Sequence, residues 1–161
     1  MDAKELFLIQ HAHVHTAAVG EGRGHSLEDS LCEGLTTEQM RERPGGLNSI
    51  VWLLWHMTRA EDIGVNVIIM GQPQVLDEGG WTMRLNLSRR DLGSGMTDEE
   101  VGEFARRVNI PELLAYRAAV GRRTQEVLRT IDPEVLDEVI DEGVLARAHD
   151  TGAFGPHADW T

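Results

Sequence analysis

Apolar residues recur at intervals of three and four along most of the chain, the period of one helical face. In the first segment they fall at Leu6, Ile9, Ala12 or His13, Thr16 and Ala17 or Val19, which predicts an amphipathic helix over about residues 2–19, ended by Gly20, Gly22 and Gly24. A helical turn is expected within residues 26–34 and another over 36–40, where Thr36 and Gln39 have capping-box spacing. Pro44-Gly45-Gly46 stops that turn. Asn48 or Ser49 then caps the strongest segment, which carries Val51, Trp52, Leu53, Leu54, Trp55, Ile63, Val65, Val67, Ile68 and Ile69 up to Gly71. Its first half is apolar nearly all round, as in a helix held between neighbours rather than lying on a surface.

Residues 72–95 break the pattern with Pro73, Gly79-Gly80, Gly93 and Gly95, and read as a long loop anchored by Trp81 and Leu85. Thr97 and Glu100 form a capping box that opens a shorter helix to about Val108. Pro111 suits a first helical turn, and Leu113, Leu114, Ala118, Val120, Gly121, Gln125, Val127, Leu128 and Ile131 continue as a third long helix that ends before Pro133. A short helix and an irregular tail are expected after Glu134. No alternating strand pattern stands out, so the expected fold class is all-α, in one domain over residues 1–161.

Composition narrows the partners. The 161 residues carry 15 Lys and Arg against 27 Asp and Glu, a formal charge of −12, and no basic cluster exceeds a pair such as Arg89-Arg90. That balance excludes a phosphate-backbone partner, so no nucleic acid is expected. The longest apolar run, Ile50 to Met57, is far below the roughly 20 residues that span a bilayer. The start Met1-Asp2-Ala3-Lys4-Glu5 lacks the pattern of an export signal, and one cysteine, Cys32, cannot form an internal disulfide. No membrane partner and a cytoplasmic location are the expectations.

Phosphate loops, dinucleotide fingerprints, nucleophile elbows and paired-cysteine motifs are missing from the sequence, which leaves histidines, tryptophans and acids to carry chemistry. His56 lies in the most apolar helix, four residues after Trp52, and must either bond a neighbour or ligate something. His11 and His15, four apart, share a helical face and could chelate together, whereas His13 points elsewhere; without a third ligand they read more readily as partly exposed polar-face histidines. His25 reads as loop surface, and His149 and His157 reach His56 only if the tail folds back. Glu61 and Asp62 do not share the face of His56 and are expected to pair with Arg59 or with basic groups on another helix.

The string Leu47-Asn48-Ser49-Ile50-Val51-Trp52-Leu53-Leu54-Trp55-His56-Met57-Thr58-Arg59-Ala60-Glu61-Asp62 resembles the second-helix signature of the DinB/YfiT-like superfamily. Upstream, Leu35-Thr36-Thr37-Glu38-Gln39-Met40 with Arg43-Pro44 is similar to that family's linker, and Tyr116-Arg117-Ala118-Ala119-Val120 to its third helix, so the likeness spans about residues 5–160. The resemblance implies a four-helix bundle with up-down-down-up connectivity, a homodimer, and a divalent metal such as zinc or nickel held by three histidines. His56 matches the ligand of the second helix. The other two family ligands form an H-x-x-x-H pair on the fourth helix, and here the sequence departs: His149 and His157 are eight apart with a Gly-Pro break between them. The chain ends where that helix should begin, through truncation, supply by a partner chain or loss of the chemistry.

The resemblance implies a metal-dependent enzyme, a transferase of a low-molecular-weight thiol or a hydrolase. His56 is its expected ligand, His149, His157, His11 and His15 are further candidates, and Trp52, Trp55 and Trp81 line an apolar pocket for the small-molecule substrate. The competing reading is a non-catalytic dimeric helical protein or small-ligand binder without a metal.

Overall fold

The structure is a computed structural model that describes residues 1–20 and 26–155. Helix α1, Ala3–Val14, opens on a capping box in which Glu5 N–H donates to the Asp2 carboxylate at 2.8 Å and Asp2 N–H to Glu5 at 3.0 Å. It ends five residues short of Val19. His15 turns extended at its C-cap, its own Nδ1 accepts Thr16 N–H at 2.9 Å, and Ala17 N–H goes to Asp29 at 2.8 Å. Side chains thus take the backbone donors that a longer helix would have used.

Short helices α2 (Leu27–Cys32) and α3 (Thr37–Arg41) follow, capped by Ser26 and by the expected Thr36 and Gln39 box. Helix α4, Ile50–Asp62, is capped by Ser49 and runs directly into a π-helical segment, Ile63–Ile69, before Gly71 adopts φ +61. The segment expected to be loop is partly helical: Val75–Asp77 makes a 3-10 turn and α5 spans Trp81–Arg84, burying Val75, Leu76, Trp81 and Leu85. Asp62 explains part of this, because its carboxylate accepts Val75 N–H at 2.8 Å and Leu76 N–H at 3.0 Å and draws the chain onto the core. Helices α6 (Asp98–Arg107), α7 (Ile110–Thr130) and α8 (Glu142–Asp150) complete an all-α fold, with no strand among the described residues. None of the helices is long and apolar enough to cross a membrane.

Helices α4 and α7 pack along one another and build the core. Val51, Leu54 and Trp55 on α4 meet Leu113, Tyr116 and Val120 on α7, with Phe104 and Trp81 closing the sides at ring distances of 5.6 Å to Trp55 and 5.3 Å to Tyr116. Each large apolar side chain so enclosed contributes about 1.5–3 kcal/mol. A buried polar knot crosses this core, where Arg59 donates to Asp62, Tyr116, Gln74 and the Arg90 carbonyl. By contrast α1 rests on α7 without a single buried residue. Helix α8 packs on the π segment, and the Ala153 carbonyl behind it accepts Leu92 N–H at 3.2 Å.

Candidate metal centre

On α4 the residues Leu54, Thr58 and Glu61 follow one another at four and three positions, one helical face, and Leu54 and Thr58 on it are buried. Glu61 therefore carries a carboxylate toward a neighbouring helix, and the neighbour is the end of α1. His11 and His15 stack one above the other there, ring centroids 5.0 Å apart. His11 Nε2 lies 2.9 Å from Glu61 Oε1 and His15 Nε2 lies 3.3 Å from Oε2. One donor atom from each residue can be chosen so that all three lie within 4.8 Å of one another.

The third wall is α7. Thr124 donates its hydroxyl to Glu61 Oε1 at 2.6 Å. The Gln125 amide nitrogen donates to the Leu8 carbonyl and faces His11 Nδ1, both at 3.1 Å, while Arg129 holds the other end of that amide at 3.0 Å. Gly121 leaves the room that the His15 ring fills. Phe7 stacks on the outer face of His11 at 5.8 Å.

Burial would raise the Glu61 pKa, but the His11 and Thr124 hydrogen bonds and the nearby His15 ring outweigh it and hold the carboxyl well below its usual range. It is a carboxylate at neutral pH. His15 is 2% exposed, and its Nε2 has no hydrogen-bond partner despite standing close to Glu61. Distance makes the pair an electrostatic contact, but the direction is wrong for an N–H···O bond. A buried, unpartnered nitrogen beside a carboxylate is the arrangement that a cation completes.

The donor set fits a divalent transition metal. Two imidazoles and a carboxylate bind such ions at about 2.0–2.2 Å, which puts neighbouring donors about 3.4 Å apart in a tetrahedral shell, near the separations observed. One feature works against the ion. Both Nδ1 atoms face donors, Thr16 N–H and the Gln125 amide, where a metal-bound imidazole normally faces an acceptor. The free rings therefore keep their proton on Nε2, and binding an ion there requires that proton to move to Nδ1 and the Thr16 and Gln125 donors to turn away.

His56 is placed differently. Its Nδ1 lies 2.7 Å from the Leu92 carbonyl, which can only accept, so the proton is on Nδ1 and the Nε2 lone pair is free to bind. The ring stacks on Trp52 at 4.8 Å and 9°. Among the described residues, the three-donor group does not include His56. His149 is exposed on α8, and His25 and His157 lie outside the described residues. Trp55 and Trp81 lie in the core against Tyr116, and Trp52 lies beside His56. The structure thus brings His11 and His15 together, as their spacing allows, and supplies a third donor, Glu61, that the sequence reading assigned only to pairing. The signal for it was an acid on the core stripe of α4, facing Thr124 and Gln125 on the core stripe of α7.

The described residues form an all-helical core built on two long helices, with a histidine–histidine–carboxylate set at its margin that offers three donor atoms to a cation. The chain belongs to the DinB superfamily, whose family model matches residues 25–154. No curated protein matches it.

Proposed function

We propose that this protein is a metal-dependent enzyme of the DinB kind, which holds a divalent ion such as zinc or nickel between His11, His15 and Glu61 and acts on a small molecule by thiol transfer or hydrolysis. The observation that carries the reading is the buried Nε2 of His15, which makes no hydrogen bond and stands 3.3 Å from a carboxylate that His11 also reaches. Superfamily membership supports it. When bound, such an ion supplies a Lewis acid that lowers the pKa of a thiol or water ligand toward neutrality. The chain's own residues do the holding: the imidazoles bind, Glu61 offsets the charge, Thr124 orients the carboxylate and Phe7 fixes the His11 ring.

Elemental analysis and calorimetry of purified protein test this. One ion per chain is expected in the wild type and in His56→Ala, and none in Glu61→Gln or His15→Ala. A chain that takes up no ion sinks the reading. A second location has one observation in its favour, the Leu92 carbonyl that fixes the His56 tautomer. Loss of the ion in His56→Ala with retention in Glu61→Gln would move the metal there.

A further inference from the structure

One of the three donors, His11, sits on a helix that has little else to hold it, and a second, His15, is the buried C-cap of that helix. Helix α1 buries none of its residues, and Leu6, Phe7, Ile9 and Val14 remain exposed. Its attachments are polar and few: Lys4 donates to the Arg129 and Ile131 carbonyls at 3.3 and 3.0 Å, Gln125 reaches the Leu8 carbonyl, and His11 reaches Glu61. Leu8 alone on this helix joins the small apolar cluster of Val127, Leu128 and Ile131. An element with so little apolar burial belongs to the low-stability end of a fold, where local detachment precedes global unfolding.

The donors also divide along the chain. His11 and His15 lie before the segment that matches the superfamily, and Glu61 lies within it. The site therefore exists only while α1 is docked.

Resting on the metal reading above, we propose that the ion is a clasp: it binds at the seam between α1 and the α4–α7 pair, and its occupancy and the docking of α1 are a single equilibrium. Coupling of this kind is reciprocal. An ion that binds the docked state alone shifts docking toward that state, and whatever lifts α1 expels the ion. The pull is directed through His15, buried at the end of α1, whose Nε2 makes no hydrogen bond and only the 3.3 Å contact with Glu61. Glu61, already fixed by Thr124, is the anchor on the bundle side.

Hydrogen exchange of the full chain, read by mass spectrometry with zinc and with a chelator, tests the clasp. With zinc at about one hundred times its dissociation constant, exchange in residues 3–15 should slow by about a hundredfold. Any slowing in α6, which carries no donor, should be at least about tenfold smaller. Glu61→Gln should remove the difference, and His13→Ala, on the exposed side of the same helix, should keep it. Zinc bound by calorimetry with α1 exchange unchanged, or slowed no more than α6, would overturn the clasp and leave the metal site standing. Failure to bind zinc at all would overturn both.

Discussion

A Cβ placed on Gly121 would stand 2.8 Å from both Cε1 and Nε2 of His15, and 2.5 Å from Cγ2 of Val19. These are separations that real atoms do not tolerate, so the smallest residue on α7 is what admits the end of α1. Gly121→Ala should therefore shift His15, cost about 1–3 kcal/mol in chemical denaturation despite the better helix propensity of alanine, and weaken zinc binding at least about tenfold. An alanine variant as stable as the wild type would show that the ring moves aside freely.

Gln125→Glu should do the reverse to the metal. The amide presents a donor to His11 Nδ1, which favours the proton on Nε2. A carboxylate there accepts from Nδ1–H, leaves Nε2 free and keeps its contact with Arg129, and this gain is set against the lost donation to the Leu8 carbonyl. Zinc affinity by competition titration is expected to rise by about tenfold, the lower end of what outer partners contribute.

Acid should weaken the Glu61 contribution. Its folded pKa lies below the usual 4.5, so the stability it supplies is complete above that value and is lost as pH falls through it toward the folded pKa. Measured in chelator, the advantage of the wild type over Glu61→Gln should be about 1–3 kcal/mol at pH 7. It should shrink steadily below pH 4.5. A difference that stays constant from pH 7 to pH 3 would contradict the assignment.

The buried Arg59 and Asp62 pair, 3.0 Å apart with both side chains at 0% exposure, anchors the loop as well as the core. Asp62 also receives the Tyr116 hydroxyl, whose own pKa burial pushes well above its usual value. Arg59→Met leaves that carboxylate without its cation and should cost about 3–5 kcal/mol in unfolding free energy. It should also free residues 74–77 and 90 for proteolysis, because Gln74 and the Arg90 carbonyl lose the same guanidinium.

Local rules were readable from the chain. Thr36 with Gln39, Ser49, and Thr97 with Glu100 all cap the helices they announce, because capping is decided within four residues. The apolar stripes of α4 and α7 were equally plain. The early end of α1 was not, since it depends on Asp29, fourteen positions beyond His15, taking the Ala17 N–H. The candidate metal centre was half legible: His11 and His15 share a face at helical spacing, but Glu61, fifty positions from His11, joins them only through the folded packing. His56 stands out in its apolar run, whereas Glu61, five residues on, reads within its own helix as a partner for Arg59 or for basic groups on another helix.

The π-helical segment sends the apolar residues after Asp62 to two sides of the molecule. Ile63 and Ile68 pack with Leu92, Ala153 and Phe154, whereas Val65 and Met70 turn to Val127, Leu128 and Ile131. One widened turn lets a single strand of sequence serve two separate clusters. The reading frame of the helix is thereby part of the fold: deleting Gly64 would move each later side chain onto the bearing of the residue before it, so that Val65, Ile68 and Met70 would turn away from the clusters they now fill.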